Sequence, residues 1–327
     1  MKAITVRQFG GPEVLEFADI PRPEPGARDV LVRMRYAGVN PNDAYVRVGN
    51  YGFLIPDLPY TPGFDGAGTV EAVGATVTRV KPGDPVFITG AIAEKNTGTY
   101  AQFAVVSADA VHRLPEGATF EQGAALGIPA LAAYRALFVR GELKAGETVL
   151  IHGATGGVGT LAVQMAKAAG ASVAGTSGTD TGKQNLKELG CDLVLDHIKA
   201  DNLEAALVTL RGGPDLIIEF LADVNLQTDL ALIKKYGRIV VVGSRGDVTV
   251  TPRFTMAKES DIRGMAVFLA TPEENRQALA AIADMLEKGQ LRPVIGEVRP
   301  LKDASDVHKT LLTQKGKGKT LLEIPEH

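Results

Sequence analysis

The stretch that most limits what this chain can fold into is residues 149–170, VLIHGATGGVGTLAVQMAKAAG. Apolar or β-branched residues, Thr148 to Ile151, lead into a run carrying Gly153, Gly156, Gly157 and Gly159. Beyond it Val158, Leu161, Ala162, Met165, Ala166 and Ala169 recur at the spacing of one helix face, so the order is strand, glycine turn, helix. Gly170 stands where a helix usually ends on positive φ, and Ser172 to Thr176 resumes a strand, which makes the unit β-α-β. The free amides at such a helix N-terminus attract phosphate. Gly156 lets the backbone approach a pyrophosphate, and Gly159 lets the helix lie close on the sheet. Ala154 replaces the first glycine of the usual G-x-G-x-x-G, and a ligand-free tight turn would leave a similar pattern. The further βα units downstream turn the reading towards a dinucleotide site.

Those units follow in order. Gln184–Leu189 reads as a helix, Leu193–Leu195 as a strand, Leu203–Leu210 as a helix, Leu216–Phe220 as a strand, Asp223–Lys235 as a helix, and Ile239–Val242 and Ile262–Phe268 as strands. Strands alternating with helices predict a six-stranded parallel sheet covered on both faces, a doubly wound α/β fold. The first 123 residues differ. They are rich in Gly, Pro and Val, with extended runs at Ala3–Val6, Val30–Tyr36, Gly68–Val73 and Tyr100–Val106 separated by turn signals, and they predict a largely antiparallel β domain. Gly123–Val139 reads as a helix interrupted near Pro129; residues 273–288 form a long helix; Thr320–Ile324 is a strand too isolated for a domain of its own. The expected division is therefore 1–123, completed by 269–327, and 124–268.

At 327 residues and 45% hydrophobic the chain can bury two cores, and a net charge of −3 argues against nucleic acid or an anionic membrane surface as partner. The one cysteine, Cys191, excludes disulfides within the chain. The opening MKAITVRQFG lacks the apolar core of a signal peptide, and no apolar run approaches the ~20 residues of a membrane helix. A cytoplasmic protein is expected.

Several stretches are more specific than the glycine turn: FGGPEVLEF (9–17), GVNPNDAYVRVGNY (38–51), PYTPGFDGAGTVEAVG (59–74), HGATGGVG (152–159), VVVGSRG (240–246), TMAKES (255–260) and RPVIG (292–296). With these the chain resembles the zinc-free, zeta-crystallin-type NADPH:quinone oxidoreductases of the medium-chain dehydrogenase/reductase superfamily. The resemblance implies a GroES-like β domain interrupted by a Rossmann domain. In the zinc-dependent alcohol dehydrogenases of that superfamily a Cys follows the stretch matching Gly38-Val39, and Gly-His-Glu matches Gly63-Phe64-Asp65. Here Asn40 and Phe64 stand at the Cys and His positions, and neither offers thiolate or imidazole. No metal is expected. Without one a simple alcohol is a poor substrate, because its alkoxide needs stabilising as hydride leaves. A quinone is a better one, since its reduction gives a phenolate that takes its proton from water. Reduction of an enone or enoyl C=C bond remains the alternative, with Tyr51 as the candidate proton donor. A crystallin-like structural role, or RNA binding, remains as a non-enzymatic alternative.

By the same resemblance the cofactor contacts fall on Tyr51, Thr155, Gly156, Gly157, Val158, Gly178, His197, Asn225, Val242, Gly243, Ser244 and Arg245. After the second strand of the α/β part the chain reads Thr176-Ser177-Gly178-Thr179, without the carboxylate that usually holds an NAD ribose. Lys183 follows within reach of a 2′-phosphate, so NADPH is the expected cofactor, although a solvated lysine would read the same. Asn40, Tyr45 and Tyr51 are the candidate catalytic residues, placed with Asp43 at an expected interdomain cleft. The run Asn40-Pro41-Asn42-Asp43 also reads as a helix cap, and for Asp43 that reading is preferred. Lys315, Lys317 and Lys319 read either as charge at the phosphate end or as a solvated loop. A homo-oligomer, dimer or tetramer, is expected through the β-rich run Asp247–Thr251 at the sheet edge.

Overall fold

The computed structural model describes residues 1–52, 54–90, 97–196, 210, 212–313 and 318–326. The chain divides into two compact units: Met1–Ile128 joined by the described residues from Pro293 onward, and Pro129–Arg292.

In the first unit the strand Asp29–Gly38 is central. Its alternation puts Val30, Val32 and Met34 inside at 3% exposure or less, as a half-buried antiparallel strand requires. It pairs antiparallel with Asp65–Val73, Phe103–Ser107 and Lys319–Glu323. Pro85–Thr89 and Val111–Arg113 extend the sheet on one side. Ile295–Pro300 closes the other, parallel to Lys319–Glu323. The isolated terminal strand thus rejoins the β domain, where Leu321 and Leu322 enter its core at 0% exposure.

The second unit carries a six-stranded, wholly parallel sheet in the order Leu193–Leu195, Ser172–Thr176, Thr148–Ile151, Leu216–Glu219, Arg238–Val241, Asp261–Gly264. This is the doubly wound order with its switch point beside Thr148–Ile151. Leu150, Ile217 and Ile239 are buried at 1% exposure or less, because helices cover both faces of a parallel sheet.

Four sequence expectations are corrected. The helical stretch before the sheet breaks at Ala125-Leu126, between Phe120–Ala124 and Gly127–Tyr134. Pro129 lies in the first turn of the second helix, where its missing N–H has no intrahelical partner to lose. The segment 269–292 belongs to the second unit; its helix Pro272–Glu287 buries Ala278 and Ile282, and Glu274 pairs with Arg135 at 3.2 Å. The last strand is shorter than Ile262–Phe268, giving way to a 3₁₀ turn at Val267–Leu269. Asp247–Thr251 is not a strand: the Gln227 side chain brackets Thr251, accepting from its N–H at 2.8 Å and donating to its Oγ1 at 3.4 Å. The edge strand on this side of the sheet is Asp261–Gly264. All but Leu210 of the predicted helix Leu203–Leu210 lies outside the described residues, as do His197, Lys315 and Lys317.

Candidate functional site

Parallel α/β sheets bind ligands at the carboxyl ends of their strands, and there the second unit gathers its candidate residues. Gly153 takes a left-handed φ of +52° where the strand turns outward. Gly156 is the N-cap of the helix Gly157–Ala168, with no side-chain hydrogen bond closing that cap, so the first amides remain for an anion. A Cβ on Gly156 would meet only Gly153 O, at 3.4 Å; one on Gly159 would lie 2.6 Å from Ala154 Cα. The first glycine leaves the cradle open, and the second permits close helix-to-strand packing. Thr155, Gly156, Gly157 and Val158 are all partly exposed. Gly178 follows the end of Ser172–Thr176. Val242 to Arg245 follow the end of Arg238–Val241, where Asp223 Oδ1 accepts from Arg245 N at 2.9 Å and from Ser244 Oγ at 3.4 Å. The residues present therefore fit a dinucleotide.

Lys183 stands beside that end of the sheet, but its ammonium is already engaged. Nζ lies 2.7 Å from Asp196 Oδ2 and 3.2 Å from Asp180 Oδ1, with side-chain exposures of 13% for Asp196 and 100% for Asp180. Hydrogen bonds to both carboxylates hold the ammonium's pKa above its usual value.

The first unit contains a chain of buried polar groups built on the short helix Pro41–Arg47. Asn40 is its N-cap, and Asp43 Oδ2 accepts from Asn40 N at 2.7 Å, as a cap requires. Asn40 is 3% exposed. Its Nδ2 donates to Asp65 Oδ2 at 2.7 Å and its Oδ1 accepts from Lys319 Nζ. Lys319 Nζ also lies 3.2 Å from Asp65 Oδ2, with side-chain exposures of 4% and 0%. Tyr100 Oη donates to Asp43 at 2.9 Å and lies 3.3 Å from His308 Nε2, while Arg47 Nη1 lies 3.1 Å from His308 Nδ1. Burial pushes the Asp43 carboxyl up to about 7, and burial lowers the Lys319 ammonium although Asp65 and Asp43 pull it back. Asn40 is therefore turned inward. Tyr45 and Tyr51 are brought together, their rings nearly parallel, 6° apart with centroids at 6.2 Å. Burial, then the charges of Asp43 and Tyr45, raise the Tyr51 hydroxyl's pKa, so at neutral pH it offers a hydrogen bond more readily than a proton.

Lys319 settles one open reading: it is neither solvated nor at a phosphate, but paired in the core. Sequence reasoning missed Asp65 as its partner, and missed a second buried cluster, His152 with Glu219 and Asp229. His152 Nε2 lies 2.8 Å from Asp229 Oδ1 and 3.5 Å from Glu219 Oε2. The signal was present in the apolar run Leu216 to Phe220, where Glu219 is the only charge. A carboxylate inside such a strand is almost never buried unpaired.

The chain matches the alcohol dehydrogenase GroES-like domain over residues 26–116 and the zinc-binding dehydrogenase family over residues 157–284. It is 44% identical to the human quinone oxidoreductase over 325 residues, 98% of this chain and 97% of that protein. A crystal structure of Escherichia coli quinone oxidoreductase complexed with NADPH superposes with a TM-score of 0.87 at 28% identity, covering 99% of this chain and 100% of that one. A structure described as an NAD-dependent alcohol dehydrogenase superposes with a TM-score of 0.90 at 30% identity, covering 99% of this chain and 100% of that one. Fold likeness thus embraces proteins of differing substrate and cofactor, and the choice among them falls to the residues.

Proposed function

The chain belongs to the quinone oxidoreductase family of the medium-chain dehydrogenase/reductase superfamily, and from that premise we propose that it reduces quinones with NADPH and without a catalytic metal. The observation that carries the reading is the pair of residues at the zinc-ligand positions. Phe64 has no donor atom, and Asn40 presents its amide to Lys319 and Asp65. An alkoxide would find no Lewis acid there, whereas a quinone asks for none.

When bound, a nicotinamide supplies the hydride or electrons. The chain's own share is to bind and orient. The amides opening Gly157–Ala168 receive the pyrophosphate, with Gly156 leaving room for it. Thr176 to Thr179 present no carboxylate to a 2′-phosphate, and an ammonium has three N–H donors, of which Lys183 directs one each to Asp196 and Asp180. Tyr45 and Tyr51 offer a flat face to a planar acceptor, and the Tyr51 hydroxyl bonds an acceptor oxygen. Among the described residues no helix is long and apolar enough to cross a membrane; a cytoplasmic location is part of this reading.

NADPH oxidation measured against a panel of o-quinones, p-quinones and enones, with zinc determined in the same preparation, tests it. Turnover of quinones with far less than stoichiometric zinc is expected. Turnover of enones alone would transfer the assignment to C=C reduction, and activity lost with chelated zinc would overturn it.

A further inference from the structure

Glu219 ends the strand Leu216–Glu219 at 0% exposure and ties together two segments counted among the cofactor contacts. Its Oε1 accepts from Leu221 N and from Asn225 Nδ2, the latter at 3.2 Å. Its backbone oxygen accepts from Val242 N at 2.8 Å and Gly243 N at 3.3 Å, and Ala222 N returns to Gly243 O at 3.0 Å. The other carboxylate oxygen, Oε2, faces His152 and Asp229, and the ligand atoms of these three residues lie within 4.8 Å of one another. Among the described residues Glu219 Oε2 and Asp229 Oδ2 have no hydrogen-bond partner, and both lie buried in side chains at 0% exposure.

Two buried acceptors side by side need either a cation or a proton. With His152 Nε2–H donating to Asp229 Oδ1 across their 2.8 Å separation, that nitrogen has no lone pair left for a metal. An imidazolium balances one carboxylate, and a proton between Glu219 and Asp229 neutralises the other. The cluster then closes at zero net charge with each oxygen bonded. We propose that Glu219, holding that proton and bonding through it to Asp229, is the positioning residue for the cofactor platform: it fixes the turn that carries Asn225 and the adjoining Val242–Gly243 segment. When the proton leaves, two carboxylates face each other in the core and the turn loosens. The inference rests on the reading that this unit binds a nicotinamide cofactor.

Burial, together with the charge and hydrogen bond of Asp229 and against the pull of His152 and of the Leu221 N–H, puts the Glu219 carboxyl at about 7. Burial pulls His152 down, but Asp229 and Glu219 outweigh it and leave it raised. Among the described residues these two, one following the strand Thr148–Ile151 and one on the helix Ala222–Leu232, are the titratable groups acting on Glu219. The sign follows: the organised platform belongs to the protonated form, and affinity falls as pH rises through neutrality.

NADPH binding to the full-length protein is to be titrated between about pH 6 and about pH 8.5, beside Glu219→Gln and Glu219→Ala. The 2′-phosphate titrates near the same range, with a pKa of about 6, so parent and variant are compared at each pH, where its contribution cancels. A glutamine amide keeps an acceptor for Leu221 and Asn225 and gives Asp229 a permanent donor. Glu219→Gln should match the parent at about pH 6 and bind about tenfold tighter than it at about pH 8.5, an equilibrium shift of roughly one pH unit. Glu219→Ala should bind about tenfold more weakly than Glu219→Gln at every pH, as expected for loss of a bond to a buried polar group. A Glu219→Gln curve that tracks the parent throughout overturns the proposal, even if Glu219→Ala fails to fold. A parent that binds NADPH at no pH overturns the cofactor reading instead.

Discussion

The charged residues of this chain differ in what their surroundings let them do, and Lys183 and Lys319 mark the extremes. Lys319 is in the core with Asp65. Removing one partner of a buried pair leaves the other uncompensated, which costs about 3–5 kcal/mol. Lys319→Met should therefore lower the unfolding free energy by about that amount, whereas Lys319→Met with Asp65→Asn should cost clearly less than the sum of the single changes. Additive losses in a denaturant titration would mean that the two do not act as a pair. Lys183 sits at the surface, where a permanent ion pair contributes little to stability but a phosphate can be recognised. Lys183→Ala should weaken NADPH by about tenfold or more, since a charge-assisted bond to phosphate is lost, and leave NADH nearly unchanged. Because the site is partly exposed, raising salt from about 0.1 to 1 M, which shortens the screening length from about 10 to 3 Å, should shrink the parent's preference and hardly touch the variant's. A parent that already prefers NADH would remove the 2′-phosphate from this account.

At the scale of the element, the glycine turn separates folding from binding within four residues. Gly159→Ala places a Cβ 2.6 Å from the backbone of Ala154, a contact only backbone movement relieves. It should destabilise by about 1–3 kcal/mol, the usual range for overpacking. Gly156→Ala meets only Gly153 O, at 3.4 Å, so its melting temperature should stay close to the parent's while NADPH binding weakens. Equal melting temperatures for the two variants would contradict the packing. This turn was legible because its information is local: a strand, positive-φ positions and an amphipathic helix lie within one short stretch. The parallel strands Ser172–Thr176, Leu193–Leu195, Leu216–Glu219 and Arg238–Val241 were legible for the same reason, each apolar run starting within three residues of a glycine. What was not legible is non-local. Lys319 read as part of a lysine-rich loop because Asp65 and Asn40 are far away in sequence, and although Glu219 is the one charge in its apolar run, its partners His152 and Asp229 emerge only from the fold. Asp247–Thr251 carries strong β propensity, yet Gln227 holds it as an irregular segment, which propensity alone does not foresee.

For the whole molecule, the sheet of the second unit ends on the strand Asp261–Gly264, and an open edge invites pairing with another chain. Ile262 on that strand is 44% exposed, an apolar side chain left towards solvent, while Arg263 is tied back to Glu142 at 2.8 Å and to Asp261 at 2.8 Å. A two-fold copy brought edge to edge would continue the ladder and cover Ile262, and closed pairs of this kind are the commonest oligomers. We therefore expect a homo-oligomer assembled through Asp261–Gly264 rather than through Asp247–Thr251. Sedimentation velocity at micromolar protein should give a dimer or a larger closed assembly. Ile262→Lys, which sets a charge opposite its own copy across the two-fold axis, should shift the distribution towards monomer without lowering the monomer's NADPH affinity, since this edge lies apart from the glycine turn in the strand order. An assembly that resists Ile262→Lys would place the interface elsewhere, and a parent that sediments as a monomer at every concentration would show that the exposed edge is kept solvated by its own short length and its charged neighbours.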